Sequence, residues 1–299
     1  MPENPASPPA AGTKGPAKKP GARPDLATLG GLALAGFGII GGLLLEKGQI
    51  QDVAQGTAAL IVLGGTLGAV LVTTPLSVVI RAIRGLKKVF FEQAGDTRET
   101  IEALIGYATK ARKNGIVSLE GDAAAITHPF LRKSLNLAVD GTDLQELRKM
   151  MELDMALTEQ SAEDEAKVWE AAGGYAPTIG IIGAVMGLLQ VMKHLEDIKE
   201  VGHGIAVAFV ATVYGVGSAN IFFLPAAGKL RARVKDSLLA NEMILEGVIG
   251  IVEGLNPTLI RMKLESYNRQ PVPKAKAKSG KEAAEQEKYG SGSPAAVVR

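Results

Sequence analysis

Two apolar segments carry the residues whose types and spacing could serve ion chemistry. The first contains Pro177 and Ala184, which lie roughly 10 Å apart at about 1.5 Å per helical residue. The second contains Thr212, which lies roughly 20 Å before Pro225, so both Ala184 and Thr212 fall within the depth of a bilayer. A hydroxyl at such a depth either bonds the carbonyl four residues earlier or lines a path for water or ions. The predicted ion-pathway residues are Pro177, Ala184, Thr212 and Tyr214.

The two prolines bound this pair of segments, and each admits two interpretations. Pro177 stands near the start of the first segment, and Pro225 near the end of the second. A proline inside a helix removes a backbone donor and favours a kink. Alternatively, Pro177 only begins a helix and Pro225 only ends one. The residues alone leave both interpretations open.

Four segments are long and apolar enough to cross a membrane, which needs about 20 helical residues. They cover Leu26–Leu45, 53–80, 174–192 and 204–227. None contains Asp, Glu, Lys, Arg or His, although a proton relay within a membrane normally uses an ionisable side chain. If the chain helps to conduct ions, the titrating carboxylate must therefore come from another protein, which predicts a hetero-complex. The second segment exceeds one span and predicts tilt or an extension beyond Pro75.

Composition argues against several other chemistries. The 299 residues are 46% hydrophobic and include no cysteine, which excludes disulfides, thiol nucleophiles and thiolate metal sites. No His-x-x-x-His, Walker or GxSxG motif occurs, and His128, His194 and His203 fall in loops or at helix ends. We therefore predict no enzyme active site, no metal, no cofactor and no nucleic-acid partner.

The placement of charge predicts the orientation. Basic residues flank one end of the apolar segments, while the short connections 46–52 and 193–203 show no such excess. The positive-inside rule then places both termini and the central domain in the cytoplasm, with the chain as a multi-pass protein in the lipid of the cell inner membrane. The flanking basic residues are Lys14, Lys18, Lys19, Arg23, Arg81, Arg84, Lys87, Lys88, Lys229, Arg231, Arg233 and Lys235.

The predicted fold is an all-α membrane protein with four transmembrane helices and a helical cytoplasmic domain between helices 2 and 3. Apolar residues recur at helical spacing in that domain, as at Ile101, Leu104 and Ala108. Residues 161–170 are expected to continue directly into the third span. The predicted domains are a disordered cytoplasmic tail (1–24), a transmembrane hairpin (25–80), a cytoplasmic helical domain (81–173), a second hairpin (174–228), a cytoplasmic C-terminal helix (229–268) and a disordered tail (269–299).

Glycines four apart recur on three of the four segments, and such spacing lets helix backbones approach closely. The pairs are Gly38 with Gly42, Gly64 with Gly68, and Gly183 with Gly187. Each pair could serve packing within one chain, but their recurrence favours a tightly packed oligomer.

Together these residues resemble the A subunit of the bacterial flagellar stator, the MotA/PomA family within the MotA/TolQ/ExbB superfamily. The resemblance covers roughly residues 25–265. The matching motifs are 177–187 for the family's third span, 206–225 for the fourth, 64–68 with Pro75 for the second, and 110–120 for its cytoplasmic torque segment.

This resemblance implies a function and a set of partners. Several copies, expected to form a pentameric ring, would surround a MotB-type subunit that has one membrane helix and a peptidoglycan-binding domain. An Asp on that helix would supply the carboxylate missing here. Ion flow would turn the ring against the rotor protein FliG and convert ion-motive force into flagellar torque. The family's basic and acidic rotor-interface residues match Arg112 and Glu120, and its two coupling prolines match Pro177 and Pro225.

Ala184 bears on the choice of ion. Sodium-driven relatives carry a Thr at the position that matches Ala184, beside the fourth-span Thr that matches Thr212. Na⁺ requires several oxygen ligands, whereas a proton needs only a titratable group and a water path. The methyl group of Ala184 therefore predicts proton coupling.

Other classes of protein remain as alternatives. A TolQ/ExbB-like energiser also surrounds a partner helix, but its members usually have three spans and a periplasmic N-terminus. A gliding-motility stator would share the features above. A scaffolding membrane protein without ion flow would lack a one-span partner that carries a membrane Asp.

Overall fold

A computed structural model describes residues 23–92 and 97–267. This part is helical apart from one antiparallel pair of two-residue strands, in which Arg23 pairs with Glu92 and Pro24 with Phe91. The predicted all-α class is confirmed. The elements are β1 (Arg23–Pro24), α1 (Leu26–Leu45), α2 (Ile50–Val53), α3 (Gly56–Ala59), α4 (Gly65–Thr73), α5 (Leu76–Phe90), β2 (Phe91–Glu92), α6 (Thr97–Asn114), α7 (Glu120–Ala125), α8 (Pro129–Val139), α9 (Leu144–Lys193), α10 (Ile198–Gly217), α11 (Leu224–Val252) and α12 (Pro257–Glu265), with π-helices at Leu60–Gly64 and Ser218–Phe223 and a 3₁₀-helix at Ile116–Leu119.

The two predicted tails lie almost wholly outside the described residues. The C-terminal tail, 269–299, is entirely outside them, and so are residues 1–22 of the N-terminal tail. Residues 23–24, which were included in that tail, instead form β1. The backbone N–H of Asp25 next to the strand donates to the Phe90 carbonyl at 2.8 Å, which joins the start of α1 to the end of α5.

Within the described residues, four helical stretches are long and apolar enough to cross a membrane. The second runs from Ile50 to Thr73 and ends where Thr74 adopts an extended backbone before Pro75. The helix α5 then continues as a separate amphipathic helix that carries the predicted basic flank. An extension beyond Pro75 was one of two predicted explanations for the long second segment, and it is present.

Both prolines lie within continuous helical stretches. The helix α9 is 50 residues long, so 161–170 do run directly into the third span, and Pro177 lies inside this helix. In the fourth span α10, a π-helix and α11 follow one another without a gap, with Pro225 in the first turn of α11. The wider π-turn leaves room for a residue that has no N–H to donate. The interpretation in which Pro177 only begins a helix and Pro225 only ends one is therefore wrong.

The C-terminal helix predicted over 229–268 is two helices. Gly254 adopts a positive φ of 69°, and the Leu255 N–H donates to the Gly250 carbonyl at 3.0 Å, a bond typical of a glycine helix end. The Asn256 side chain then accepts from the first turn of α12, where Pro257 takes the first position. Gly254 ends the first helix, and Asn256 with Pro257 begins the second. The spacing of apolar residues does not reveal this break.

The helices outside the four spans share one hydrophobic core. This core is formed by α6, α8, α11, α12 and the first part of α9. Its buried residues include Leu104 of α6, Leu135 of α8, Ile249 of α11, Leu264 of α12 and Met151 of α9. The segments 81–173 and 229–268, predicted as separate domains, therefore contribute to the same core.

Candidate functional site

The third and fourth spans form a hairpin, called here the α9–α10 hairpin (residues 174–217), in which the backbones touch. A Cβ added to Gly187 would lie 2.7 Å from the Gly204 carbonyl oxygen and 2.8 Å from the Ala208 nitrogen. No side chain fits where two backbones approach this closely. The predicted pair Gly183 and Gly187 therefore serves packing within one chain.

This contact fixes the orientation of Ala184 and Thr212. A Cβ on Gly183 would lie 2.8 Å from the Ala211 Cβ, so these two residues face each other across the hairpin. Ala184 and Thr212 come next in their helices, each turned by about 100° from its predecessor. Because the helices run antiparallel, these equal turns bring both residues to the same side of the hairpin. We call this side the Thr212 face.

Pro177 lies on the Thr212 face as well. It follows Ala176, whose carbonyl oxygen would be 2.6 Å from a Cβ on Gly215, so Ala176 belongs to the hairpin contact. By the same helical turn, Pro177 projects to the side that carries Ala184 and Thr212. The structure thus brings three of the four predicted pathway residues to one face.

The Thr212 hydroxyl bonds a carbonyl of its own helix, as is common for threonines in membrane helices, and Thr212 is also accessible. It donates to the Ala208 carbonyl at 3.2 Å, four residues earlier, while the residue remains exposed. A hydroxyl that donates one hydrogen bond keeps its lone pairs for a further ligand. The two outcomes predicted as alternatives for Thr212 are therefore compatible.

Tyr214 is turned away from the Thr212 face, and its place in the ion pathway stays a prediction. Its hydroxyl donates to the Val53 carbonyl and accepts from the Gln55 N–H at 3.3 Å. The ring packs with Ala58 and Val62 of the second span. Tyr214 therefore satisfies backbone groups just before α3 begins, where helical partners are missing. The contact assigns Tyr214 to the joint between the second and fourth spans.

The other glycine pairs differ from that of the hairpin. An added Cβ on Gly38, Gly42 or Gly68 would meet nothing within 4 Å, and one on Gly64 only the end of the Leu60 side chain. These glycines make no close helix contact within the described chain. They remain available to lipid or to other subunits.

The predicted rotor-interface residues lie on either side of a tight turn. Arg112 is in the last turn of α6, Gly115 follows with a φ of 81°, and Glu120 begins α7. Across this turn Lys110 forms an ion pair with Asp122 at 2.6 Å. The side chains of Arg112 and Glu120 are exposed and make no hydrogen bond or ion pair within residues 23–92 and 97–267.

An ionic cluster at the charged end of the spans was not predicted from the sequence. Asp25 caps α1 through bonds from Ala27 and Thr28, and it pairs with Lys229 at 2.6 Å and with Arg233. The Lys229 hydrogen bond, followed by that of the Thr28 N–H, holds the pKa of Asp25 well below its usual range. An acidic residue directly before an apolar helix is a recognisable cap signal. Its partners, some 200 residues away, carried no local signal.

A second cluster joins α9 to α11 near the membrane. The Arg231 guanidinium contacts Glu163 at 2.8 Å and Glu170 at 2.5 Å. The hydrogen bond from Arg231 lowers the pKa of Glu163, and the two carboxylates raise the pKa of Arg231. This network fixes the continuations of the third and fourth spans, at Glu163 to Glu170 and at Arg231, against each other.

Two family models match most of the chain. The model of the MotA/TolQ/ExbB proton channel family matches residues 122–243, which include the α9–α10 hairpin. The model of the Motility protein A N-terminal region matches residues 29–115. The class is that of a membrane channel subunit of the MotA/TolQ/ExbB type.

Individual relatives identify the family within this class. Motility protein A of Helicobacter pylori is 37% identical over 84% of this chain and 97% of its own length. The structure of C. jejuni MotAB matches with a TM-score of 0.79 and 32% identity, covering 83% of this chain and 98% of that one. The flagellar MotAB stator complex from Bacillus subtilis matches with a TM-score of 0.76 and 30% identity, covering 89% and 100%. This chain therefore belongs to the Motility protein A family, and the predicted resemblance is confirmed.

Proposed function

We propose that this chain is the A subunit of a flagellar stator in the cell inner membrane. With a MotB-type subunit it conducts ions and converts the ion-motive force into torque on the rotor, without an enzymatic step or a cofactor. The observation that carries the proposal is the Thr212 face, because Pro177, Ala184 and Thr212 converge there while the spans hold no ionisable residue. The missing carboxylate fits an Asp from a one-span partner, and the two solved structures described above are MotAB complexes.

The test is complementation in a motile bacterium that lacks its own stator. Expressing this chain with its one-span partner should restore swimming, and Asp→Asn in the partner's membrane helix should abolish it. Purification should recover both proteins, with five copies of this chain by native mass spectrometry. Recovery of the chain without any one-span partner would instead favour a scaffold. Swimming that survives the Asp→Asn change would reject the ion path.

Arg112 and Glu120 are proposed to contact the rotor protein FliG. Exposed charges that make no ion pair among residues 23–92 and 97–267 are available to steer an intermolecular contact. Arg112→Glu and Glu120→Lys should each reduce torque while the amount of protein in the membrane is unchanged. Lys113→Glu, an equal change at the neighbouring exposed residue, is the control. Equal losses in all three variants would mean that any reversed charge near this turn reduces torque, and would remove the specific role of Arg112 and Glu120.

The conducted ion is proposed to be the proton, because Ala184 leaves the Thr212 face with one hydroxyl fewer than a sodium site would use. Swimming should persist in sodium-free medium and stop when the proton gradient is collapsed. Loss of swimming on removal of sodium alone would contradict proton coupling.

Both termini are proposed to be cytoplasmic. Since the chain has no cysteine, Lys47→Cys should react with an impermeant thiol reagent added to spheroplasts, whereas Lys113→Cys should not.

A further inference from the structure

The connection between α6 and α7 is fixed through its backbone and one buried side chain. The Gly115 N–H donates to the Ala111 carbonyl at 2.8 Å, and the Ser118 hydroxyl donates to the Gly115 carbonyl at 2.6 Å. Leu119 is buried in the core that the surrounding helices share. These contacts hold the 3₁₀-helix between α6 and α7, but they do not by themselves orient the helix that follows.

Helix α7 depends on further contacts because it is only six residues long. Helices shorter than about 12–15 residues are marginal by themselves in water. Ala123 is buried, whereas Glu120 and Gly121 are exposed. Since the methyl group of Ala123 is a small anchor, the orientation of Glu120 depends on what else joins α7 to α6.

An ion pair makes this connection. The Lys110 ammonium group of α6 donates to the Asp122 carboxylate of α7 at 2.6 Å, and the two side chains are 41% and 35% exposed. The Asp122 charge also acts on α6 one turn earlier, because burial and then this charge raise the pKa of Tyr107. The Asp122 carboxylate therefore lies against α6.

Paired and unpaired charges alternate along both helices. Lys110 and Arg112 are two residues apart on α6, and Glu120 and Asp122 are two residues apart on α7. Two helical residues turn by about 200°, which places the two charges of each helix on opposite sides of it. Because Lys110 and Asp122 point towards each other, Arg112 and Glu120 point outwards. There they make no ion pair among residues 23–92 and 97–267.

We propose that Lys110 and Asp122 are positioning residues, which hold Arg112 and Glu120 at a fixed separation for contact with the rotor. An intermolecular contact costs less conformational entropy when its charged groups are already in place. Since exposed ion pairs contribute little to folding stability, loss of this pair should leave the domain folded. The inference rests on the proposed rotor contact of Arg112 and Glu120, and it assigns no rotor contact to Lys110 or Asp122.

The first measurement reports position without reference to the rotor. Because the chain has no cysteine, Lys113→Cys with Gly121→Cys provides one pair of spin-label sites, one on each side of the turn. A Cβ added to Gly121 would meet nothing within 4 Å. The labelled full-length chain is purified with its one-span partner and an excess of unlabelled chain, so that distances within one subunit dominate. We expect a narrow distance distribution in the parent chain and a broad one after Lys110→Ala or Asp122→Ala.

The second measurement is the stall torque in the complementation host. Lys110→Ala and Asp122→Ala should each lower the torque roughly twofold at an unchanged amount of protein in the membrane, because an exposed ion pair shifts a local equilibrium by a small factor. The exchanged pair, Lys110→Asp with Asp122→Lys, should restore both the torque and the narrow distribution. Lys133→Ala is the matched control, since Lys133 of α8 forms an ion pair of similar exposure with Asp154 of α9. Its loss should change neither readout.

A narrow distribution in both Lys110→Ala and Asp122→Ala would overturn the inference. Unchanged torque in these two variants, under conditions in which Arg112→Glu lowers it, would do the same. An exchanged pair that restores the distances but not the torque would show that Lys110 and Asp122 contact the rotor themselves, which also overturns the positioning role.

Failure of the proposed rotor contact gives a different result. Neither Arg112→Glu nor Glu120→Lys would then lower the torque, while the distance distribution would still broaden in Lys110→Ala. That outcome removes the contact that the ion pair serves, so it overturns both proposals and is distinguishable from failure of the ion pair alone.

Discussion

The α9–α10 hairpin and helix α1 are both apolar and rich in glycine, yet they use glycine in opposite ways. In the hairpin, Gly187 and Gly204 lie against each other's backbones, so that neither tolerates a side chain. In α1, a Cβ on Gly31 or Gly38 would meet nothing within 4 Å. The hairpin completes its packing within one chain, whereas α1 leaves its surface for lipid or for other proteins. Residue type alone does not separate these two uses.

The difference assigns separate tasks to the two regions. A hairpin whose backbones are in contact holds Pro177, Ala184 and Thr212 at fixed relative positions, as the proposed ion path requires. A helix held by one ionic tie at Asp25 can adapt to its surroundings without disturbing that face. Four predictions test the contrast, in order of decreasing effect on the free energy of unfolding.

The largest effect is expected for Gly187→Val. Its Cβ would lie 2.7 Å from the Gly204 carbonyl oxygen, and backbone atoms cannot move aside as a flexible side chain can. We expect a loss of about 3 kcal/mol, at the upper end for overpacked sites. Thermal unfolding of the detergent-solubilised protein measures it. Gly38→Val, the same change on α1, should have no more than a small effect, and a comparable loss there would show that α1 is packed after all.

Tyr214→Phe should cost about 2 kcal/mol, because it leaves the Val53 carbonyl and the Gln55 N–H without their partner. The same thermal assay applies. Tyr175→Phe is the matched control, since the Tyr175 hydroxyl makes no hydrogen bond to any other residue in the described part of the chain. If Tyr214→Phe has the same thermal midpoint as the parent chain but a lower ion flow, Tyr214 belongs to the pathway.

The sequence allowed the architecture and most of the Thr212 face to be predicted, for identifiable reasons. Apolar length defines the spans, and the helical rise places Ala184 and Thr212 at bilayer depth. Their common side follows only from the contact between Gly183 and Ala211 in the structure. Contacts between distant residues could not be predicted in this way. The Tyr214 hydroxyl meets residues 159 and 161 positions earlier, and Asp25 meets a partner 208 positions later. The break at Gly254 depended on one left-handed residue inside an otherwise helical pattern.

Asp25→Asn should release the N-terminal end of α1 with less effect on overall stability, because α1 buries no residue. Since the pKa of Asp25 is lowered in the folded protein, its tie is present above the usual carboxyl pKa of about 3.9 and is lost only as the pH falls towards the lowered value. Spin labels on Leu32→Cys and Ile221→Cys should report a narrow distance distribution down to pH 4 and a broad one in Asp25→Asn at neutral pH. Glu46→Gln, at the other end of α1, is the control. Broadening by both changes would remove the special role of Asp25.

Thr66→Val is expected to have the smallest effect, and in the opposite direction. Thr66 lies in the second span, 2% exposed, and its hydroxyl has no hydrogen-bond partner among the described residues. A buried hydroxyl without a partner costs free energy, so an isosteric methyl group should stabilise the chain by about 1 kcal/mol. Thr73→Val in the same span is the control. The Thr73 hydroxyl donates to the Val70 carbonyl at 3.1 Å, so loss of the Thr73 hydroxyl should give no gain in stability.

A Thr66→Val chain that is more stable and still supports swimming would show that the packed part of the membrane domain tolerates the loss of the Thr66 hydroxyl. A chain that is stable but conducts no ions would add Thr66 to the pathway and extend it beyond the Thr212 face.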